Sequence, residues 1–335
     1  MMSSTPTLDE VARTAGVSRS TASRAINGGS RVSPEAQQAV DDAVARLGYS
    51  PNRAARSLVT RRTDSIALVV PEPDERILND PFLSGTLRGV NAALGASDLQ
   101  LVLVMARPGD SSGRIARYLQ SGHVDGAIVT SHHREDGLES ALLDTRIPSV
   151  FVGRPFDDSD TLRYVDMDNV EGGRTAAQHL IDRGRTRIAT VTGPLDMTAG
   201  VDRFTGWRSA VEGAGLDAGR VEHADFTREG GAAAMRRLLD VAPDLDAVFV
   251  ASDLMASGAL RALREAGRDV PGEVAVVGYD DLGIAANAAT PLTTIRNPVI
   301  ELANLATHTV LALVADDTPP AQTSFPVELV VRESS

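Results

Sequence analysis

The sequence predicts an α/β protein in two parts: a three-helix helix-turn-helix head, then a larger body of two α/β subdomains. Three observations predict it. Residues 1–62 carry nine arginines against five acids, a charge of +4, whereas residues 63–335 carry 24 against 40, a charge of −16. Helix start and stop signals follow one another closely through the first 50 residues. From Asp64 onward, strand-length apolar runs alternate with helix-length amphipathic stretches, the pattern of parallel sheets covered by helices.

Composition narrows the chemistry. The 335 residues, 42% of them hydrophobic, contain neither cysteine nor lysine, so all 33 basic residues are arginine. Disulfides, thiolate zinc sites, cysteine nucleophiles, Schiff-base lysines and Gly-Lys-Ser/Thr phosphate loops are thereby excluded. No apolar run reaches the ~18 residues of a membrane span, and the polar start from Met1 to Pro6 does not read as a signal peptide. A soluble, cytoplasmic protein without a cofactor is expected. The basic segment beside an acidic body points to a nucleic-acid head on a body with another task.

In the head, Thr7-Leu8-Asp9-Glu10 is a capping box, in which the threonine hydroxyl accepts from a first-turn amide while Glu10 reaches back. Leu8, Val11, Ala12 and Ala15 give this helix one apolar face, and Gly16 permits the left-handed residue of a tight turn. Ser18 caps a second helix, with Val17, Ala22 and Ile26 inward and Arg19, Ser20, Ser23 and Arg24 on the opposite face; Asn27-Gly28-Gly29 stops it. Ser33-Pro34-Glu35 opens a third helix with the stripe Val40, Ala43, Val44 and Leu47, and Gly48 ends it. Helix, glycine turn, helix and support helix make a helix-turn-helix unit.

The runs Thr7-Leu8-Asp9-Glu10-Val11-Ala12, Ala15-Gly16-Val17-Ser18, Thr21-Ala22-Ser23-Arg24-Ala25-Ile26-Asn27 and Leu47-Gly48-Tyr49-Ser50-Pro51-Asn52-Arg53 to Leu58 resemble the head of LacI/GalR repressors. The resemblance implies a DNA surface of Thr7, Ser18, Arg19, Ser20, Ser23, Arg24, Asn27, Asn52, Ala55 and Leu58. Arg19 and Ser20 would meet base edges, and an arginine there suits the paired N7/O6 acceptors of guanine. Asn27 would touch phosphate; Arg24 would join the recognition helix or pair with Glu10 or Glu35. The segment 51–58 is too short for a stable free helix. The resemblance implies that it folds on DNA against its copy, with Ala55 allowing close approach and Leu58 wedging between base steps; the other reading is a plain linker.

In the body, apolar strand runs lie at 66–70, 99–105, 127–129, 150–152, 188–191, 247–250 and 274–277, and a second β-α series follows Asp168. Two parallel sheets side by side leave a cleft at their strand carboxyl ends. The resemblance continues through Asp80-Pro81-Phe82, Asp168-Asn169, Gly193-Pro194, Arg203 with Gly206-Trp207, Ser252-Asp253-Leu254-Met255 and Gly278-Tyr279-Asp280-Asp281. It implies an effector domain similar to periplasmic sugar-binding proteins. The expected division is a head at 1–50, a hinge at 51–63 and an effector domain at 64–335. Its first subdomain would span about 64–167 and 297–325, its second about 168–296 and 326–335.

The same resemblance makes Asp280 an acceptor of ligand hydroxyls, Arg203 a cationic donor and Phe226 an aromatic platform, with Ser252 where the family often has asparagine. Phe82, Ser131, His132, Arg154 and Asp168, at strand ends, are further effector-binding candidates. Against these stand salt bridging for Asp280 and Arg203 and ordinary core for Phe226 and Phe82; Trp207 is assigned to core. Acceptors and donors around an aromatic face suit a carbohydrate, and neither Asp280 nor Arg203 has obvious like-signed company for a charged ligand. The stretch 72–82, with Gly153-Arg154-Pro155, resembles a subgroup responding to cellobiose and related oligosaccharides. A nucleoside or purine effector, or a co-repressor, is the alternative.

A carbohydrate-processing enzyme is the competing class, but no Gly-x-Gly-x-x-Gly or His-Glu-x-x-His occurs. The six histidines are scattered; in the adjacent pair His132-His133 the rings would diverge, and a solvated loop is expected there. The resemblance implies a non-enzymatic repressor acting as a homodimer on a near-palindromic double-stranded operator, released by a small carbohydrate. Ligand would close the cleft, shift the subdomain beside the hinge and part the hinge helices.

Overall fold

The computed structural model describes residues 6–27, 32–50, 62–95, 97–105, 112–145, 147–157 and 161–335. Two units emerge, Met1–Thr63 and Asp64–Ser335.

The first unit holds α1 (Leu8–Ala15), α2 (Arg19–Ile26) and α3 (Pro34–Leu47). Thr7 and Glu10 form the capping box, with the Thr7 amide donating to the Glu10 carboxylate at 2.8 Å. Gly16, at φ +66°, ends α1 in the left-handed region that a side chain resists. Ser18 and Ser33 accept from the Thr21 and Ala36 amides at 3.1 and 3.2 Å. The shared core is small: Val11, Ala12, Ala22, Ala25, Val40 and Ala43 are buried. Alanines at the crossings let three short helices approach closely, so Ala25 joins the core while Val17 and Ile26 stay half-buried.

The second unit contains, among the described residues, the strands β1 (Ser65–Val70), β2 (Gln100–Met105), β3 (Gly126–Thr130), β4 (Ser149–Val152), β5 (Arg163–Met167), β6 (Ile188–Thr192), β7 (Val221–His223), β8 (Ala247–Val250), β9 (Ala275–Asp280), β10 (Thr293–Arg296), β11 (Gln322–Phe325) and β12 (Glu328–Val330). Its helices are α4 (Asp74–Asn79), α5 (Pro81–Leu94), α6 (Ser112–Gln120), α7 (Leu138–Leu143), α8 (Asn169–Asp182), α9 (Thr198–Gly213), α10 (Arg228–Val241), α11 (Asp253–Glu265) and α12 (Val299–Val314). The strands form two six-stranded sheets, ordered β11-β5-β4-β3-β1-β2 and β12-β10-β9-β8-β6-β7. The chain passes from the first sheet to the second after β5, returns through α12 to β11, and crosses once more into β12.

Both faces of each sheet are covered, which explains the continuous apolar runs. Along β1, Ile66, Leu68 and Val70 face one cluster with α5 and α12, while Ala67 and Val69 face the other, with α6 and α7. In the second sheet Val248 and Val250 pack under α10 and α11, and Ala247 and Phe249 under α8 and α9. Trp207 is fully buried in that last layer.

Two expectations need correction. The sheets are not wholly parallel, because β12 runs antiparallel to β10. Five strands, β5, β7, β10, β11 and β12, had no apolar run to announce them. They lie at or next to sheet edges or carry polar positions, as in Arg163-Tyr164-Val165-Asp166-Met167, where one face is only half covered. Among the described residues no helix is long and apolar enough to cross a membrane.

Candidate ligand cleft and nucleic-acid interface

On the head, α2 presents Ser18, Arg19, Ser20 and Arg24 exposed on one face, with Ser23 half-buried beside them and Thr7 exposed at the start of α1. The Ser18 hydroxyl lies 2.9 Å from that of Ser20 and 2.8 Å from that of Thr21. Arg19 Nε stands 3.4 Å from the Asp9 carboxylate, an exposed and therefore weak tether that leaves the guanidinium free to exchange partners. Arg24 donates from Nε to the Ser20 carbonyl at 3.2 Å rather than pairing with Glu10 or Glu35. Asn27 turns back onto its own helix, donating to the Ser23 carbonyl at 2.8 Å. Asn52, Ala55 and Leu58 lie outside the described residues.

In the second unit a cleft of about 880 Å³, its open mouth included, runs between the two sheets at the carboxyl ends of their strands. Phe82, Ser131, His132, Arg203, Phe226, Ser252 and Asp280 line it together. Arg203 is placed by α9, which crosses α8 where both helices carry glycine. A Cβ at Gly206 would overlap the Val170 carbonyl, and one at Gly173 the Arg203 carbonyl. At 5% exposure, Arg203 donates from Nε to Asn169 at 2.9 Å and from Nη1 to the Ala251 carbonyl at 2.7 Å. Its guanidinium lies 3.7 Å over the Tyr279 ring and 3.8 Å from Asp280. Phe226 holds a left-handed backbone, φ +62°, with its ring pressed against Gly193. Such strain in a bulky residue costs on the order of 1–3 kcal/mol and collects at functional sites.

Electrostatics set the cleft apart from an ordinary interior. Asp280, 8% exposed, accepts from Asn297 Nδ2 at 3.2 Å. Burial drives its pKa up to about 6 against the opposing pull of Arg203 and the Asn297 hydrogen bond, and a nearby Asp80 raises it further. Burial likewise pushes up Asp80, Asp166 and, most strongly, Asp253. Asp253 holds the strand ends together, accepting from the Thr294 hydroxyl and the Asp281 amide, each at 2.7 Å. Asp166 accepts from Asn169 at 3.0 Å, so Asp166, Asn169, Arg203 and Asp280 form one chain of polar contacts. Asp280 and Arg203 therefore do have like-signed company, contrary to the sequence reading: four carboxylates and two guanidiniums, Arg76 and Arg203, line the cleft. Folding brought these charges together from α4, the junction of α4 and α5, β5, α9, the start of α11 and the end of β9.

Three further expectations are corrected. Asp168, past the end of β5, is exposed and caps α8, accepting from the Glu171 amide at 2.8 Å, so the acid on the cleft wall is Asp166, two residues earlier and still within the strand. Arg154 is engaged bidentately by Asp202 at 2.9 and 3.1 Å and is absent from the wall, where Gly153 stands instead. The pair His132-His133 is no solvated loop. His132 is 3% exposed, edge-on to Phe151. The half-buried His133 bridges Asp196, at 2.8 Å, and Glu72, at 3.1 Å; its pKa is raised, chiefly by the Glu72 hydrogen bond. Arg76, Asp80, Asp166, Asn169, Asp253 and Asn297 escaped the sequence reading as wall residues. For Asp166 and Asn297 the available signal was the strand-end rule, had β5 and β10 been visible.

With this geometry in hand, comparison with known proteins is informative. Residues 7–52 match the bacterial regulatory proteins of the lacI family, and residues 177–335 match the periplasmic binding protein-like domain. The HTH-type transcriptional regulator CelR of Thermobifida fusca is 47% identical over 333 residues, covering 98% of each chain. A solved transcriptional regulator CelR–cellobiose complex superimposes with a TM-score of 0.78 at 44% identity, covering 98% of this chain and 100% of that one. The lac repressor dimer bound to operator and the anti-inducer ONPF gives 0.86 at 26% identity, with 99% of each chain covered. Similarity of this extent, through both head and body, establishes that the chain belongs to the lacI family of bacterial regulatory proteins, DNA-binding transcriptional regulators with a periplasmic-binding-protein-like domain.

Proposed function

We propose that the protein is a non-enzymatic transcriptional repressor whose hold on a near-palindromic operator is released by a short β-linked glucan, cellobiose being the preferred member. The observation that carries this is the cleft: an aromatic ring, Phe226, flanked by fixed acceptors and donors on both walls, the chemistry that reads pyranose hydroxyls. The CelR relative seen with cellobiose supports the choice of sugar. In this reading Phe82, Ser131, His132, Arg203, Phe226, Ser252 and Asp280 bind the effector. Thr7, Ser18, Arg19, Ser20, Ser23 and Arg24, with Asn27, Asn52, Ala55 and Leu58, serve the DNA. The head ends near residue 50, a hinge follows to 63, and the two sheets define the two subdomains of the remainder. Leu103 and Met105 on edge strand β2, with Leu87 on α5, are large exposed apolar side chains that support a dimer through the first subdomain.

The test is a melting and operator-release series against cellobiose, glucose, ribose and adenosine. Cellobiose is expected to raise the melting temperature and free the DNA, and to be recovered intact. A response confined to monosaccharides or the nucleoside, or turnover of cellobiose, would reject the reading.

A further inference from the structure

Besides His132 Nε2, which faces the Glu139 carboxylate at 3.0 Å, two buried polar atoms on the cleft wall have no hydrogen-bond partner among the described residues, and they belong to opposite sheets. One is Arg76 Nε, from α4 beside the first sheet; the other is Asn297 Oδ1, at the end of β10 in the second. A buried donor and a buried acceptor left empty cost free energy unless something fills them, and native interiors rarely tolerate either. The Asn297 amide nitrogen is spent on Asp280, so its oxygen waits for a hydroxyl donor. Arg76 is the more telling case.

The Arg76 side chain is only 14% exposed and is held from behind. Its Nη1 lies 2.7 Å from Glu72, which is 3% exposed and also accepts from Ser131 at 2.8 Å and meets His133 at 3.1 Å. Glu72 thus fixes the guanidinium without consuming Nε. The Arg76 Cζ lies 5.9 Å from the centre of the Phe226 ring, and Arg203 lies at the same 5.9 Å. One aromatic ring on a strained backbone is therefore flanked by two guanidiniums: Arg203, whose Nε and Nη1 are engaged by Asn169 and Ala251, and Arg76, whose buried Nε has no partner among the described residues.

We infer that Arg76 is the residue that selects a two-ring sugar, donating from Nε to an oxygen of the second pyranose while the first ring occupies the Asp280, Arg203 and Asn297 end. This inference rests on the carbohydrate reading above and deepens it. A monosaccharide seated against Asp280 leaves Arg76 Nε empty; a disaccharide fills both vacant positions and ties the two subdomains together. Glu72 is a positioning residue for this contact, with Ser131 and His133 holding its carboxylate.

Calorimetric titration of the full-length protein, Arg76→Gln and Arg76→Lys with cellobiose and with glucose tests it. Arg76→Gln is expected to lose about ten- to hundred-fold in cellobiose affinity, the size of a lost hydrogen bond to a charged donor, while glucose affinity changes less than about three-fold. Arg76→Lys keeps the charge but not the fixed donor and should fall between. It also carries the comparison if the glutamine variant melts markedly earlier without sugar. Equal losses for both sugars, or undiminished cellobiose binding in both variants, overturn the role of Arg76 alone. Wild-type protein that binds neither sugar overturns the carbohydrate reading and this inference with it, and one that binds glucose as tightly as cellobiose overturns the disaccharide preference.

Discussion

Asp280 shows how one residue's surroundings become a measurable property. Burial raises its pKa to about 6, above the ordinary 3.8, because Arg203 at 3.8 Å and a single Asn297 hydrogen bond only partly replace lost water. Between those two values the folded protein holds a proton that the unfolded chain has released. Its contribution to stability therefore falls as pH rises through that window and is level above about 6. Ligand hydroxyls favour the carboxylate, so binding should expel the proton. Effector affinity is expected to weaken as pH drops below about 6, with a binding heat that depends on the buffer's ionisation enthalpy. Affinity that stays flat across this range would move the principal acceptor away from Asp280. His133 titrates too, but in stability it has the same sign as Asp280. Its raised pKa means its bridge to Glu72 and Asp196 is complete in acid and is lost as pH rises through the folded value, so it cannot cause an acid loss.

Between elements, the decisive contact is the crossing of α8 and α9. Glycines at 173 and 206 remove the atoms that would hold the helices apart, and this closeness brings Arg203 Nε to Asn169. Gly206→Ala should drive a methyl into the Val170 carbonyl, destabilise the protein by about 1–3 kcal/mol and blunt the sugar-induced melting shift. Denaturant unfolding with and without sugar measures both; unchanged values would mean the crossing relaxes freely. Such crossings are hard to see in sequence, because a glycine inside a helical pattern reads first as a weak position. The head lies at the other extreme. Thr7, Ser18 and Ser33 each cap the helix their spacing announced, since capping is settled within four residues.

Across the whole chain the charge of −12 averages a +4 head and a −16 body, so it describes neither. The body's charge opposes DNA, and the head must hold phosphate with arginine alone. The logarithm of operator affinity should fall linearly with the logarithm of salt concentration, by roughly 0.9 per phosphate neutralised. Nine arginines bound that slope near 8 per head. Filter-binding or anisotropy titrations across salt concentration check it; an affinity indifferent to salt would contradict an electrostatic grip by the head.

Local and periodic features were determined by sequence alone: the three capped helices, the seven apolar strands, the break in charge after residue 62. Each depends on neighbours in the chain or on a repeat of two or 3.6 residues. Tertiary structure alone decided which strand-end side chains share the cleft. Asp166 rather than Asp168 faces it because β5 ends at Met167 and Asp168 is turned to cap α8, an end point that no apolar run in β5 announced. Four carboxylates and two guanidiniums, scattered from Arg76 to Asp280, meet only once both sheets are built. The vacant Nε of Arg76 exists only there, since a donor is left empty by the company that folding gives it.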